Sequence, residues 1–260
     1  MSINSLRIGL IQTDLVWEEP ADNMRRMEEL LSESGPTDLI LLPEMWSTGF
    51  SLSPERVAEE TTGLTLNWMI DQAQKYNSAI AGSVAVREDG KYYNRFYCVH
   101  ADGRITKYDK RHLFSYGKED QHYTPGNEHT LLEIKGWKIM PVICYDLRFP
   151  VWCRNTMDYD LMVIVANWPT ARIHHWDALL KARAIENQCY IAAVYRIGVD
   201  GNGLEYPGHS GVVDMNGLSL LDLNDRSTME IIELNKSALD QYREHFRFLQ
   251  DRDSFRLFWE

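Results

Sequence analysis

The chain has few cysteines and spreads them thinly: Cys98, Cys144, Cys153 and Cys189 form no CxxC pair. That scatter argues against a zinc ribbon or a dense disulfide framework, and it suits a reducing, cytoplasmic setting. Long apolar runs are also missing, so nothing in the sequence is suited to span a bilayer. Met1-Ser2-Ile3-Asn4-Ser5 lacks the basic stretch and apolar core of a signal peptide. Positive charge is in deficit, with 27 Lys and Arg against 38 Asp and Glu and a net charge of −11. A nucleic acid or an anionic membrane needs a basic face, so neither is an expected partner. No Pro/Gly/Ser-rich linker, repeat or low-complexity tract divides the 260 residues. We read residues 1–260 as one domain, long enough to bury a substantial core.

What is present alternates strand and helix patterns. Strands are expected at residues 6–12, 38–43, 79–86, 92–100, 137–144, 161–166 and 190–197, with a short extension at 105–108. Helices are expected at 21–34, 64–75, 151–157, 174–187 and 237–245. Asp89-Gly90 reads as a hairpin turn between two of the strands. Later strands are expected at 210–214, 218–222 and 228–234. This order implies layered α/β architecture, and its many hairpin turns favour mixed over purely parallel sheets.

Cys144 is the most informative residue. The apolar run Ile139-Met140-Pro141-Val142-Ile143 stops at Cys144, and Tyr145-Asp146-Leu147-Arg148-Phe149-Pro150 follows as a strand-to-helix turn would. A thiol placed against a helix amino end is expected to favour its thiolate, as a nucleophile requires. Two charged residues occupy similar positions. Glu44 ends the strand Leu39-Ile40-Leu41-Leu42-Pro43, and Lys110 follows Thr106-Lys107-Tyr108-Asp109. Reactive groups in α/β sheets gather at the carboxyl ends of strands. There Glu44 would take the thiol proton, while Lys110 and the Tyr145 backbone N–H would hold an oxyanion. The alternative is that Glu44 and Lys110 are a solvated pair at loop edges.

Leu42-Pro43-Glu44, Lys110-Arg111-His112-Leu113-Phe114 and Cys144-Tyr145-Asp146-Leu147-Arg148-Phe149-Pro150 together resemble the three signature segments of the nitrilase superfamily, the carbon–nitrogen hydrolases. The resemblance runs from Arg7-Ile8-Gly9-Leu10-Ile11-Gln12 to Gly208-His209-Ser210-Gly211-Val212-Val213-Asp214. It implies a four-layer α-β-β-α sandwich, a Glu-Lys-Cys triad, a thioester intermediate and homodimers or larger assemblies. It also implies a second glutamate between the lysine and the cysteine. Glu119 in Gly117-Lys118-Glu119-Asp120 is the match, with Glu128 as the alternative.

Within the superfamily the details look most like an omega-amidase, which acts on 2-oxo acid omega-amides. Arg148 carries the physical case, because a guanidinium takes a carboxylate through two parallel N–H···O bonds. It would hold the carboxylate of 2-oxoglutaramate or 2-oxosuccinamate while Cys144 attacks the far amide. The alternative for Arg148 is a salt bridge to Asp146 or a nearby acid. Phe50, Tyr116 and Trp168 are expected to wall a small pocket, or else to be core residues.

Other residues attract blander readings. His174 and His175 lack a metal-ligand spacing and read as surface or capping residues; His112 and His209 read as structural. Residues 198–203 read as a turn without the spacing of a phosphate cradle. Cys98, Cys153 and Cys189 read as buried small hydrophobes. No cofactor and no metal site are expected. The functions left open are an omega-amidase, another branch of the superfamily (N-carbamoyl amine hydrolase, aliphatic amidase or nitrilase), and a non-catalytic interaction module. The aromatic segment from Phe246 to Glu260 is expected to cross a homodimer interface, or else to fold back on its own domain.

Overall fold

In the computed structural model, which describes residues 4–258, every central strand carries two apolar faces. Chain order begins β1 (Ser5–Gln12), α1 (Pro20–Ser32), β2 (Leu39–Leu41), α2 (Pro54–Val57), β3 (Glu59–Glu60) and α3 (Leu64–Tyr76). It continues β4 (Ala79–Glu88), β5 (Lys91–Val99), β6 (Ile105–Asp109), β7 (Leu132–Ile134), β8 (Trp137–Ile143), α4 (Pro150–Cys153) and β9 (Leu161–Ala166). It ends α5 (Ile173–Asn187), β10 (Tyr190–Tyr195), β11 (Ile197–Val199), β12 (Glu205–Pro207), β13 (Gly211–Val213), β14 (Ser219–Asp222), β15 (Thr228–Asn235) and α6 (Lys236–His245).

Two mixed sheets result. The first has the order β15-β1-β2-β4-β5-β6, with β3 on the edge of β4; the second has the order β14-β13-β10-β9-β8-β7. Each holds three adjacent parallel strands, β1-β2-β4 and β8-β9-β10, flanked by antiparallel ones. The hairpin β4–β5 turns at Asp89-Gly90, whose φ values of 51° and 73° are those of the primed turn that matches strand twist.

Strand alternation sorts the apolar residues into layers. Leu39, Leu41, Ala79, Ala81, Phe96 and Cys98 point inward and meet Ile139, Val163 and Ala192 of the second sheet in one core. Their neighbours Ile40, Ile80, Tyr97 and Val99 point outward and pack on Met24, Met27 and Leu31 of α1 and on Trp68, Met69 and Ala73 of α3. Trp176, Leu180 and Ala184 of α5 cover the second sheet from its far side. The layers are helix, sheet, sheet, helix. Each such fully buried aliphatic side chain contributes about 1.5–3 kcal/mol.

Some boundaries differ from the sequence reading. The helix expected at 151–157 stops at Cys153, because Asn155 ties the chain instead: its side chain pairs with both Tyr159 N and Tyr159 O, and its N–H donates to Asn187 Oδ1. The strand expected at 190–197 breaks after Tyr195, and Ile197 begins the separate hairpin β11–β12, whose turn spans the segment read as 198–203. Strand β7 was not foreseen; three residues carry too little alternation to stand out. The tail partly folds back. Gln188 donates to Phe246 O and accepts from Leu249 N, and Arg252 bonds Asn155 O and Asp158. Phe248 and Phe258 stay 57% and 85% exposed. Trp259 and Glu260, like Met1 to Ile3, lie outside the described residues.

Candidate active site

Four strand ends converge. Glu44 follows β2, Lys110 follows β6, Cys144 follows β8 and Asn167 follows β9, each the first or a near residue past its strand. Gly82 on β4 makes room for the Glu44 segment: a Cβ there would sit 2.8 Å from Leu42 Cβ and 3.2 Å from Leu42 O. Ser83 next to it accepts Trp46 N through its carbonyl and Met45 N through its hydroxyl, so the turn that presents Glu44 is held at both ends.

Glu44 is fully buried, and both its oxygens are engaged. Its Oε1 accepts from Lys110 Nζ at 2.9 Å and from Asn94 Nδ2 at 2.8 Å. Its Oε2 accepts from Asn167 N at 2.7 Å, across the two sheets. Lys110 Nζ also reaches both oxygens of Glu119, at 2.9 and 3.1 Å. Glu119 is itself anchored by Phe114 N at 2.6 Å, and Asn94 Nδ2 touches its Oε1 at 3.3 Å. Lys110 therefore sits between two carboxylates with an amide bridging them from behind. The solvated-pair reading of Glu44 and Lys110 is excluded, since neither is solvated. Glu119 joins the cluster; Glu128 lies exposed on the surface.

Electrostatics follow the geometry. Burial acts against the charge on Lys110, but Glu119 and Glu44 more than offset it, and the ammonium is held well above its ordinary range. Burial pushes the Glu119 carboxyl up, opposed by Lys110.

Cys144 opens a five-residue 3-10 turn, Cys144–Arg148, with φ of 46°. A non-glycine residue in that left-handed region costs roughly 1–2 kcal/mol, which the surroundings must hold in place. Asp146 does much of that work. Fully buried, it accepts from Ile143 N at 3.0 Å, Tyr108 Oη at 2.7 Å and His112 N at 2.8 Å, and pairs with His112 Nδ1 at 2.9 Å. Arg183 of α5 grips Leu147 O with two N–H groups, at 2.7 and 3.0 Å. The thiol itself is directed to Asn167 O at 3.7 Å. The helix end is not the dominant influence on this thiol. The turn is only five residues long, and burial and then Glu44 push the thiol well up, only partly opposed by Lys110. Asn167 links the thiol to the carboxylate: its carbonyl accepts from the Cys144 thiol and its N–H donates to Glu44 Oε2.

A cavity of about 380 Å³ opens above Cys144, lined by Phe50, Lys110, Tyr145, Arg148, Asn167 and Trp168 among others. Phe50, Tyr116 and Trp168 all border it, as the sequence reading expected, although Tyr116 is 86% exposed and forms the rim. Arg148 stacks on the Trp168 ring at 4.5 Å and donates from Nη2 to His175 Nδ1 at 3.1 Å. The salt bridge to Asp146 is not formed; Asp146 is filled by other donors, and no carboxylate pairs with Arg148 among the described residues. Among the described residues no cluster of His, Cys, Asp or Glu is arranged to hold a metal ion.

Sequence reasoning missed Asn94, Asn167 and Arg172. Asn167 carried the same signal as Cys144, a polar residue just past an apolar strand. Asn94 carried a subtler one, since it shares the inward parity of Phe96 and Cys98. Arg172 had none: only the fold brings it to the cavity wall.

A buried acid, a buried ammonium and a thiol at one cavity floor can move a proton, hold an anion and form a covalent bond. Residues 7–244 match the carbon–nitrogen hydrolase family model, and the chain belongs to that family. It is a hydrolase acting on carbon–nitrogen bonds. The chain is 44% identical to Omega-amidase YafV of Escherichia coli K12 over 256 residues, 97% of this chain and 98% of the relative. It is 34% identical to 2-oxoglutaramate amidase of Bacillus subtilis over 250 residues, 94% and 96% of the two chains. The crystal structure of XC1258 from Xanthomonas campestris, a CN-hydrolase superfamily protein with an arsenic adduct in its active site, superposes with a TM-score of 0.94 at 42% identity, covering 97% of this chain and 99% of that one.

Proposed function

We propose that this hydrolase is an omega-amidase, releasing ammonia from small 2-oxo-dicarboxylate monoamides such as 2-oxoglutaramate and 2-oxosuccinamate. The observation that carries it is Arg148, in the same cavity as Cys144 and without a carboxylate partner among the described residues. Such a guanidinium suits a substrate whose far end is a carboxylate. The names of the Escherichia coli and Bacillus subtilis relatives support the same reading.

In the mechanism we propose, Cys144 Sγ attacks the amide carbon while its proton passes to Glu44. Lys110 Nζ and the Tyr145 N–H hold the oxyanion; Tyr145 is the second residue of its turn, where a backbone N–H has no intrahelical partner. Glu44 returns the proton to the nitrogen, the C–N bond breaks, and ammonia leaves a thioester on Cys144. Water then attacks the thioester, giving its proton to Glu44. The C–S bond breaks, and that proton restores the Cys144 thiol. Glu119 keeps Lys110 charged and oriented between two carboxylates. Phe50, Tyr116 and Trp168 exclude water around the chain of the substrate.

The proposal takes residues 1–260 as one catalytic domain that acts in the cytoplasm. It forms a homodimer in which the exposed aromatics of the tail meet a partner. No helix of the described residues is long and apolar enough to cross a membrane. The test is ammonia release from 2-oxoglutaramate, glutamine, an N-carbamoyl amine and a simple nitrile. The proposal expects 2-oxoglutaramate to lead by at least roughly tenfold in kcat/KM, the worth of about 1.4 kcal/mol. Preference for the carbamoyl amine or the nitrile would move the protein to another branch, and no turnover of any would leave an interaction module.

A further inference from the structure

The mouth of the cavity holds a second arginine that the proposed reaction does not use. Arg172 closes the short turn Thr170–Arg172 before α5, and its guanidinium lies over the Phe114 ring at 5.3 Å. Trp168 connects it to Arg148. The indole ring stacks under the Arg148 guanidinium at 4.5 Å, while the indole N–H donates to Arg172 O at 2.8 Å. Both arginines line the same cavity, and Arg172 adds to burial in lowering the Arg148 pKa.

Among the described residues, no Asp or Glu forms a salt bridge with Arg148 or Arg172, although other arginines such as Arg95, Arg183 and Arg196 are paired with acids. One further carboxylate, Asp200, borders the same cavity, and it is already filled by Asn202 N, Leu204 N and Tyr206 Oη. Lys110 is the cavity's third cation and is neutralised by Glu44 and Glu119. Two like charges lining one cavity repel each other, and they do so here on a chain of net charge −11 with acids to spare. Arg148 also spends Nη2 on His175, so it cannot offer its whole fork to an incoming carboxylate.

We propose that Arg148 and Arg172 form a two-arm anion site, in which Arg172 supplies the second contact to a carboxylated substrate and so sets specificity. The ligand class is a small 2-oxo carboxylate: one guanidinium meets one carboxylate oxygen, and the other bridges the second oxygen and the neighbouring 2-oxo group. The same chemistry accepts the dicarboxylate product, which makes product a competitive inhibitor. Trp168 spaces the arms, and Phe114 braces the second. This inference rests on the omega-amidase reading and refines it.

The test compares kcat/KM for 2-oxoglutaramate and for butyramide, a neutral amide, in wild type, Arg172→Ala and Arg172→Lys. Thermal stabilisation by glutarate, a simple dicarboxylate, is measured alongside. Arg172→Ala is expected to lower the ratio of the two efficiencies by tenfold or more, mainly through KM, and to cancel most of the glutarate shift. Arg172→Lys is expected to recover part of both, because it restores charge without the planar fork. An unchanged ratio with an unchanged glutarate shift would overturn the second arm. So would an equal loss on both substrates, which would mark Arg172 as a support for α5 alone. A wild type with no preference for the carboxylated amide would overturn the omega-amidase reading itself, a result distinct from either.

Discussion

The floor and the mouth of this cavity are built on opposite electrostatic plans. At the floor, Glu44, Lys110 and Glu119 are all buried, and each charge is met by another within about 3 Å. At the mouth, Arg148 and Arg172 contact aromatic rings and a histidine, and neither is paired with an acid among the described residues. The floor is complete before substrate arrives, so it is preorganised for chemistry. The mouth is completed by what binds. Changes at the floor should therefore act on kcat, and changes at the mouth on KM and on substrate choice.

The largest effect should come from the nucleophile. Cys144→Ala is expected to reduce ammonia release to background with an unchanged circular dichroism spectrum, and Cys144→Ser to be nearly inactive, because a carboxylate base activates a hydroxyl poorly. Substantial turnover by Cys144→Ala would erase the distinction between floor and mouth. Next comes Lys110→Ala, which removes the ammonium from between two buried carboxylates. It should lower kcat by more than about a hundredfold and, by stranding buried charge, cost about 3–5 kcal/mol of stability in denaturant titrations. A stable, active variant would show that the network is ornamental.

Glu44→Gln should also lower kcat about a hundredfold, yet make the thiol easier to ionise. The sign follows from the charges: the Glu44 carboxylate disfavours a neighbouring thiolate, so its removal lowers the Cys144 pKa. The pH midpoint of iodoacetamide alkylation should accordingly fall in the variant, while that of wild type lies above the ordinary thiol range near 8.5. A midpoint that rises or stays put would contradict the arrangement. Asn94→Ala should cost less, about tenfold in kcat, because one charge-assisted bond to each carboxylate is lost while the ion pairs remain. Equal kcat in wild type and variant would remove Asn94 from the floor.

The smallest catalytic effect should follow from deleting the tail at Phe246. The contacts of Gln188 and Arg252 would go with it, and sedimentation should report monomers or insoluble protein rather than a slower active site. A soluble, active and still dimeric truncation would rule out the interface role.

How much of this was legible in the sequence differs between the same two regions. Cys144 and Glu44 announced themselves by ending apolar strands and Lys110 by ending a more polar one, a one-dimensional signal that needs no tertiary knowledge. Glu119 was found only through family resemblance, since it sits in a short irregular turn. The direction in which the Cys144 pKa is pushed was not legible: helix-end reasoning considers local backbone only, whereas burial and Glu44, 100 positions away in sequence, raise it. The mouth was half legible. Arg148 lies in the nucleophile segment, but Arg172 reaches the cavity because α5 packs on the second sheet, and no local pattern encodes that. The layered architecture, in contrast, was legible in the alternation of strands and helices, and within the strands Leu39, Ile40, Leu41 and their neighbours then sort by parity.

The central claim is that a thiol at the floor carries the acyl group of a carboxylated amide. Rapid acid quench of wild-type enzyme turning over 2-oxoglutaramate, followed by peptide mass spectrometry, tests it directly. The expected result is a 2-oxoglutaryl adduct on Cys144 that forms and decays with turnover. Steady ammonia release with Cys144 unmodified at every time, or with the adduct on another residue, would contradict it.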